Sequence, residues 1–184
     1  MDHGESSYRR FLEGDDLGLY ELICTYQDGL ILYLNSYVQN IHTAESLAED
    51  TFAELAIKRP KFSGRCSFKT WLYSIARHIA VDHIRRESKF KTVPLEAQND
   101  LADENELERS YICNEQKIML HKTISSLKPE YQQILYLIFF EGFSNDEAGD
   151  IMKKNKRQIE NLLYNAKKTL RTQLERNGFD YEDI

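Results

Sequence analysis

The stretch SNDEAGDIMKKNKRQIENLLYNAKKTL, residues 144–170, decides the fold of the C-terminal half of the chain. Ser144 and Glu147, three residues apart, form a capping box, which predicts the start of a short helix. Asn155 and Gln158 repeat this spacing and predict the start of a second helix. Since only two lysines remain for the turn, the two helices must cross steeply, and this spacing is that of a helix-turn-helix.

The inner faces of these two helices have the side chains that a steep crossing requires. Ala148 and Gly149 are small enough to let the backbones approach each other. The apolar residues expected to form the shared core are Ile151, Ile159, Leu162 and Leu163. Lys153 stands in the turn where glycine is usual, and a left-handed backbone there would cost on the order of 1 kcal/mol.

Basic residues dominate the second helix and the turn before it. Between Lys153 and Arg171 there are seven basic residues and one acid, Glu160. Because the second helix of a helix-turn-helix enters the DNA major groove, residues off its apolar stripe are candidate DNA contacts. These candidates are Lys154, Lys156, Arg157, Glu160, Asn161, Tyr164 and Lys168. A helical hairpin with a solvated basic face is the alternative that this segment by itself leaves open.

The N-terminal half also has helical periodicity, with few glycines and prolines. A first helix is predicted over residues 17–37. Thr43 is predicted to cap a second helix, which should end before Pro60 because the residue preceding a proline is pushed away from helical geometry. After a loop centred on Gly64, Ser67 is predicted to cap a third long helix, which extends to about residue 88.

The C-terminal half is predicted to contain two helices before the helix-turn-helix. Helical character returns at about residues 107–126. Pro129 suits the first residue of the next helix, which continues through residues 130–141, and Gly142 suits its end.

A polar and acidic stretch separates the two halves, and its composition is typical of a linker. The sequence therefore predicts an all-α protein with two small helical domains, residues 1–90 and residues 112–184. We expect a flexible acidic linker at residues 91–111 to join them, and the C-terminal domain to be the helix-turn-helix.

The charge distribution predicts a polyanion as partner, although the net charge is −6 and the sequence pI is about 5.4. Residues 59–91 contain nine basic and two acidic side chains, and residues 151–184 contain eight and five. Acidic stretches precede and separate these two basic islands. This arrangement predicts two separate contacts with polyanion, and other surfaces that avoid it.

Several functional classes find no support in the sequence. The three cysteines lack CxxC spacing, and His78 and His83 are not spaced to ligate a metal from one helical face, so we expect no disulfide framework, metal or cofactor. No signal peptide is apparent, and the longest apolar run, residues 135–140, is too short to span a bilayer. We therefore expect a cytoplasmic protein without membrane insertion. No nucleophile–base pair or phosphate-cradling glycine loop is found, which makes an enzyme the weakest interpretation.

A second informative stretch is WLYSIARHIAVDHIRRESK, residues 71–89. It combines aromatic and guanidinium side chains on a helix that also has a full apolar stripe. Proteins that bind single-stranded nucleic acid offer aromatic side chains, on which the bases stack, and cations among them, which neutralise the phosphates. Taken alone, the pattern is also that of an ordinary helix whose aromatic side chains lie at the edge of the hydrophobic core and whose basic side chains face solvent.

The order of these parts along the chain resembles that of the extracytoplasmic-function RNA polymerase sigma factors, over nearly the whole length. The segment AESLAEDTF (44–52) resembles the polymerase-binding helix of the family, and FSGRCSFKTWLYSIARHIAVDHIRR (62–86) its loop and helix that melt and read the −10 element. LKPEYQQILYLIFFEGFSNDEAGDIM (127–152) with RQIENLLYNAKKTLRTQL (157–174) resembles its −35-binding domain.

The resemblance implies roles for residues in each segment. Contacts to the polymerase core, which comprises the β and β′ subunits, would come from Leu47, Glu49, Asp50, Phe52 and Leu55. The loop that accepts a flipped-out non-template base would consist of Lys61, Phe62, Ser63, Gly64, Arg65 and Ser67. The separated strand would be held by Trp71, Tyr73, Arg77 and Arg85. The −35 contacts would be the helix-turn-helix candidates given above.

The resemblance also implies partners and a mechanism without catalytic chemistry of its own. The partners would be the polymerase core, promoter DNA and a membrane-anchored anti-sigma factor, and we expect the free protein to be a monomer. The chain would direct initiation by recognising the −35 and −10 elements and opening the −10 duplex. The acidic linker would follow a basic channel of the polymerase.

Two residues depart from the family pattern, and two other functions stay open. Ser46 stands where aspartate is common, and Glu160 places an acid in a recognition helix that is often more basic. One alternative is a conventional helix-turn-helix regulator, which would bind duplex DNA without polymerase. The other is a sigma-like protein that occupies polymerase or an anti-sigma factor without recognising promoters.

Overall fold

The computed structural model describes residues 3–90 and 115–176, and side-chain surroundings within 3–89 and 120–176. These residues form helices and turns, with no strand among them. The predicted linker at residues 91–111 lies outside the described residues. The elements are α1 (His3–Leu12), α2 (Asp16–Val38), α3 (Ile41–Lys58), α4 (Phe68–Phe90), α5 (Glu115–Ser125), α6 (Pro129–Leu135), a π-helical turn (Tyr136–Phe140), α7 (Asn145–Met152) and α8 (Lys156–Arg176).

Local capping sets the helix boundaries of the N-terminal half. The Ser67 hydroxyl accepts from the Thr70 backbone N–H at 3.1 Å, which confirms the predicted start of α4. The predicted cap of α3 is wrong by three residues. The cap is Asn40, whose side-chain oxygen accepts from the Thr43 backbone N–H at 2.8 Å. Thr43 therefore lies inside the first turn of α3.

Helices α1 to α4 form one bundle around an apolar core. α2 and α3 pack side by side, and α4 lies across both, with Leu30, Leu55 and Leu72 fully buried between them. α1, which the sequence did not predict, packs on α2 at Gly18, where an added Cβ would clash with the Ser7 carbonyl. The missing side chain at this glycine lets the two helices approach closely.

The C-terminal half is a second cluster built around α6, α7 and α8. The buried Gln132 amide donates to the carbonyls of Ser125 at 2.9 Å and Leu127 at 2.8 Å, which fixes the turn between α5 and α6. Pro129 is the first residue of α6, as predicted. The predicted single helix over residues 130–141 instead passes into the π-helical turn, and Gly142, with φ +71°, ends it.

The two halves pack directly against each other. α4 contacts α7, and α2 contacts α6 and the π-helical turn. Gly29 on α2 lies against the Glu141 carboxylate and the Tyr73 hydroxyl, so closely that an added Cβ would clash with the carboxylate. We call this packing the closed arrangement.

Candidate nucleic-acid interface

The helix-turn-helix forms as predicted, because both of its helices are capped reciprocally. At the start of α7, the Ser144 backbone N–H donates to the Glu147 carboxylate at 3.0 Å, and the Glu147 N–H donates to the Ser144 hydroxyl at 3.3 Å. At the start of α8, Asn155 and Gln158 exchange two such bonds, both 2.9 Å long. These four bonds satisfy backbone donors that the first turns would otherwise leave unpaired.

The turn between α7 and α8 contains a left-handed residue at the position where glycine is usual. Lys153 has φ 57° and ψ 43°. The Lys154 backbone N–H donates to the Gly149 carbonyl at 3.0 Å, which closes the turn. A Cβ on Gly149 would lie 2.9 Å from the Lys154 carbonyl oxygen, so the tight turn requires glycine at this earlier position.

The predicted −35 contacts of α8 lie on an exposed face. Ile159 and Ala166 are buried on the opposite side, which fixes the rotation of the helix. The exposed residues are Lys156, Arg157, Glu160, Asn161, Tyr164 and Lys168. The Lys154 ammonium, in contrast, pairs with the Glu130 carboxylate at 3.0 Å, and only 27% of its side chain is exposed.

The predicted −10 loop is built on an aromatic cluster. The Trp71 ring lies 5.2 Å from Phe62, 5.4 Å from Tyr8 and 5.5 Å from Phe68, measured between centroids. The Tyr8 hydroxyl donates to the Pro60 carbonyl at 2.7 Å, and burial raises the Tyr8 pKa to about 12. α1 therefore supports both the start of this loop and the indole, a contribution that no local signal in residues 60–90 could reveal.

The cations predicted to hold DNA differ in how accessible they are. Lys61 and Arg65 are exposed with Ser63 on the loop, whose turn at Gly64 has φ +69°. Arg85 is also exposed and pairs with Asp82 at 3.2 Å, whereas Arg77 is half-buried. Burial raises the pKa of Tyr37 on α2, and the Arg77 guanidinium beside it offsets part of that rise.

Tyr73, a predicted strand contact, is fully buried in the closed arrangement. Its ring meets Phe143 of the C-terminal half edge-on at 5.0 Å and lies 5.3 Å from Tyr33. Desolvation and the nearby Glu141 carboxylate raise the pKa of Tyr73 well above its ordinary value. A ligand could therefore reach this side chain only if the two halves separated.

An ion pair joins α4 to the segment before the helix-turn-helix. The Lys69 ammonium lies 2.8 Å from the Glu141 carboxylate and donates to the Glu141 backbone carbonyl at 2.7 Å. It also lies 4.9 Å from the centre of the Phe143 ring. Only 28% of the Lys69 side chain and 16% of the Glu141 side chain are exposed, so water screens this pair less than it screens the surface pairs.

A second carboxylate, that of Glu147, bridges the first turns of α4 and α7. Its Oε1 accepts from the Thr70 hydroxyl at 3.0 Å and from the Ser67 hydroxyl at 3.3 Å, while its Oε2 completes the Ser144 cap. Partial burial opposes ionisation, yet hydrogen bonds from Ser144, Thr70 and Ser67 lower the Glu147 pKa. The sequence did not predict these contacts, since the partners lie far apart in the chain.

The predicted polymerase-binding residues fall into two sets. Glu49 and Asp50 are exposed on α3. The apolar residues of the set are buried in the core of the N-terminal half, with exposures of 3% for Leu47, 5% for Phe52 and 0% for Leu55. An apolar groove between α2 and α3 is lined by Leu19, Ile23, Gln27, Glu49, Phe52, Ala53 and Ala56.

Neither a metal-binding cluster nor a membrane-spanning helix is present in the described ranges, 3–90 and 115–176. No group of three or more His, Cys, Asp or Glu in these ranges is placed to hold a metal ion. No helix in them is long and apolar enough to cross a membrane.

Family models match both halves of the chain. The model for sigma-70 region 2 matches residues 22–90, and the model for sigma-70 region 4 matches residues 117–170. α1 lies outside both matches. The junction between the two matched regions includes the residues predicted as the linker.

Curated relatives extend over most of the chain. It is 26% identical to the RNA polymerase sigma factor YlaC of Bacillus subtilis over 82% of this chain and 88% of that protein. It is 33% identical to the ECF RNA polymerase sigma factor BldN of Streptomyces coelicolor over 86% of this chain and 60% of that protein.

Solved structures share the fold. A chain in the complex of CnrH with the cytosolic domain of CnrY has a TM-score of 0.66 and 17% identity, and the match covers 95% of this chain and 99% of that chain. A chain in the complex of the sigma factor RpoE with the anti-sigma factor NepR from Bartonella quintana has a TM-score of 0.63 and 19% identity, covering 85% and 96%.

Proposed function

We propose a mechanism from one premise: this chain belongs to the sigma-70 family of RNA polymerase sigma factors, as an extracytoplasmic-function member. Members of this family direct transcription initiation through RNA polymerase and are regulators of transcription, not catalysts. In the mechanism, the chain binds the polymerase core through α2 and α3, recognises the −35 element with α8, and recognises and opens the −10 element with α4 and the loop before it.

The observation that carries this proposal is the geometry of α7 and α8. Four reciprocal cap bonds and the tight turn at Gly149 fix the crossing of the two helices. The exposed face of α8 then presents Lys156, Arg157 and Asn161 together. Arginine and asparagine are side chains that recognise base edges in the major groove, and lysine neutralises phosphates.

Recognition and opening of the −10 element would depend on the loop before α4 and on its aromatic cluster. Lys61 and Arg65 are exposed cations that suit contact with DNA phosphates, and Trp71 at the edge of the cluster offers an aromatic face. Unstacking a base costs a few kcal/mol, so a preformed pocket with nearby cations would have to offset that cost. The contacts of α1 with the loop and with Trp71 would hold the base-binding pocket in a fixed conformation before DNA binds.

The partners follow from the same premise. The core would contact Glu49, Asp50 and the apolar groove between α2 and α3, where acidic side chains flank apolar ones. An anti-sigma factor is a further expected partner, because one structural neighbour is a sigma factor solved with such a protein. We expect the chain to be a cytoplasmic monomer when it is free of both.

The test is whether the chain changes which DNA the polymerase core selects. Genomic fragments retained by sigma-free core polymerase would be sequenced with and without the chain. The expected result is enrichment of fragments with two motifs at a fixed spacing, and reactivity of unpaired thymines at the downstream motif. Binding to core without selection would identify a protein that occupies polymerase without recognising promoters. Selection without core would identify a conventional regulator.

A further inference from the structure

The first turns of α4 hold two carboxylates that come from the other half of the chain. The Lys69 ammonium holds Glu141, and the hydroxyls of Ser67 and Thr70 hold Glu147. Ser67 is the last residue of the proposed −10 loop, and Lys69 and Thr70 lie between it and Trp71. Neither Lys69 nor Thr70 was among the residues predicted to bind DNA.

An ammonium with two neighbouring hydroxyls is a donor set for anions in general. The same side chains hold phosphate oxygens in protein–DNA interfaces. We propose that Ser67, Lys69 and Thr70 form a phosphate-binding site for the separated promoter strand, and that Glu141 and Glu147 occupy this site in the closed arrangement. The inference rests on the proposed function, since that function makes promoter DNA the ligand.

The two carboxylates exclude a phosphate from this position for steric and electrostatic reasons. Lys69 is already bound to both the carboxylate and the backbone carbonyl of Glu141. A phosphate placed there would also meet the negative charge of Glu147, and two like charges a few ångströms apart repel strongly where solvent is partly excluded. DNA and the C-terminal half therefore compete for one set of donors.

The competition affects only one of the two DNA-binding surfaces. The α8 face with Arg157 and Asn161 stays exposed in the closed arrangement, whereas Tyr73 and the first turns of α4 are covered. A closed chain can thus meet duplex DNA through α8, but it cannot hold a phosphate of a single strand at the first turn of α4. Separation of the halves exposes the phosphate site and Tyr73 together.

Two substitutions that break the same ion pair distinguish this site from an ordinary contact between domains. Glu141→Gln frees Lys69, while Lys69→Met removes the proposed phosphate ligand. If the pair only joins the halves, both variants change DNA binding in the same direction. If Lys69 binds phosphate, only Glu141→Gln gains affinity, and the double variant behaves like Lys69→Met.

The measurement is the affinity of the full-length chain, without polymerase, for short fluorescein-labelled single-stranded DNA of mixed sequence, by anisotropy across a salt series. We expect Glu141→Gln to bind on the order of tenfold more tightly, as freeing one charged hydrogen-bonding group allows. The plot of log affinity against log salt should steepen by about 0.7 for this variant, which corresponds to one more phosphate contact. Lys69→Met should lack both gains, and Lys69→Arg should keep the affinity of the parent chain.

The ion pair of Lys58 and Glu54 on α3, 3.0 Å long and outside this interface, supplies the matched control. Lys58→Met and Glu54→Gln should leave the affinity and the salt slope unchanged. The proposal is overturned if Glu141→Gln gains no affinity, or if Lys69→Met gains as much as Glu141→Gln does. Fragment selection by the parent chain tests the proposed function separately, so a failure of the sigma assignment is distinguishable from a failure of this site.

Discussion

Replacing Lys153 by glycine should stabilise the protein, although lysine is the native residue in the turn of the helix-turn-helix. Lys153 has φ 57° and ψ 43°, a left-handed conformation that costs a non-glycine residue about 1–2 kcal/mol. Its side chain is exposed, so truncation removes little packing. Glycine loses more conformational freedom on folding, which costs about 0.5–1 kcal/mol.

The difference between these two terms predicts a gain of about 0.5–1 kcal/mol in the free energy of unfolding for Lys153→Gly. For a chain of this length, such a gain raises the melting temperature by about 1–4 °C. Urea denaturation followed by circular dichroism measures the free energy, and a thermal scan measures the temperature. Lys153→Ala removes the same side chain but keeps the strained backbone, so it should give no gain.

Two other residues with positive φ calibrate this prediction. Gln39, with φ 52°, is exposed, and Gln39→Gly should gain as much as Lys153→Gly. Arg59, with φ 45°, lies 5.1 Å from the centre of the Phe11 ring, and loss of that cation–π contact should cancel the gain in Arg59→Gly. If Gln39→Gly stabilises the protein while Lys153→Gly does not, the strain assigned to this turn is refuted.

Three further predictions concern DNA and pH. Replacing Lys156 and Arg157 by alanine should weaken −35 binding at least tenfold while leaving core binding unchanged, and equal loss in both assays would contradict that division. Trp71→Ala should slow promoter opening more than duplex binding, as measured by permanganate reactivity, whereas opening at the parent rate would count against a stacking role. Hydrogen bonds lower the Glu147 pKa below its ordinary 4.5, so its stabilisation is complete above that pH and is lost as pH falls through the folded-state pKa. Glu147→Gln should therefore reduce the loss of unfolding free energy as the pH falls. An unchanged pH dependence on the acidic side would refute the stabilising role of the Glu147 carboxylate.

The features that could be predicted from the sequence are those that local chemistry determines. The caps at Ser67, Ser144 and Asn155 each depend on a side chain and a backbone donor three residues away, and all three formed as expected. The cap of α3 was misplaced because Asn40 and Thr43 are both good capping residues three positions apart. Only the backbone conformation, extended at Asn40, distinguishes them.

The features that could not be predicted depend on contacts between distant residues. α1 is short, and isolated helices of its length are marginal in water. It is stabilised by Tyr8 and Phe11 packing on the α2–α4 bundle, which no local pattern reveals. Burial of Tyr73 likewise depends on Phe143, a residue of the other half.

The exposed face of α8 shows which part of the candidate site's geometry could be predicted from the sequence. An apolar stripe on a helix fixes which residues face outward, because buried Ile159 and Ala166 determine its rotation. The same reasoning did not extend to Lys154, whose pairing with Glu130 depends on how α6 and α7 meet.

Run-off transcription tests the central claim, that this chain gives RNA polymerase its promoter specificity. Sigma-free core polymerase would transcribe a genomic promoter library with and without the chain. Transcripts that appear only with the chain, and whose start sites share an upstream two-element motif, are the predicted result. If the chain binds the core but no transcript depends on it, or if the dependent transcripts share no motif, the assignment of promoter recognition to α4 and α8 is contradicted.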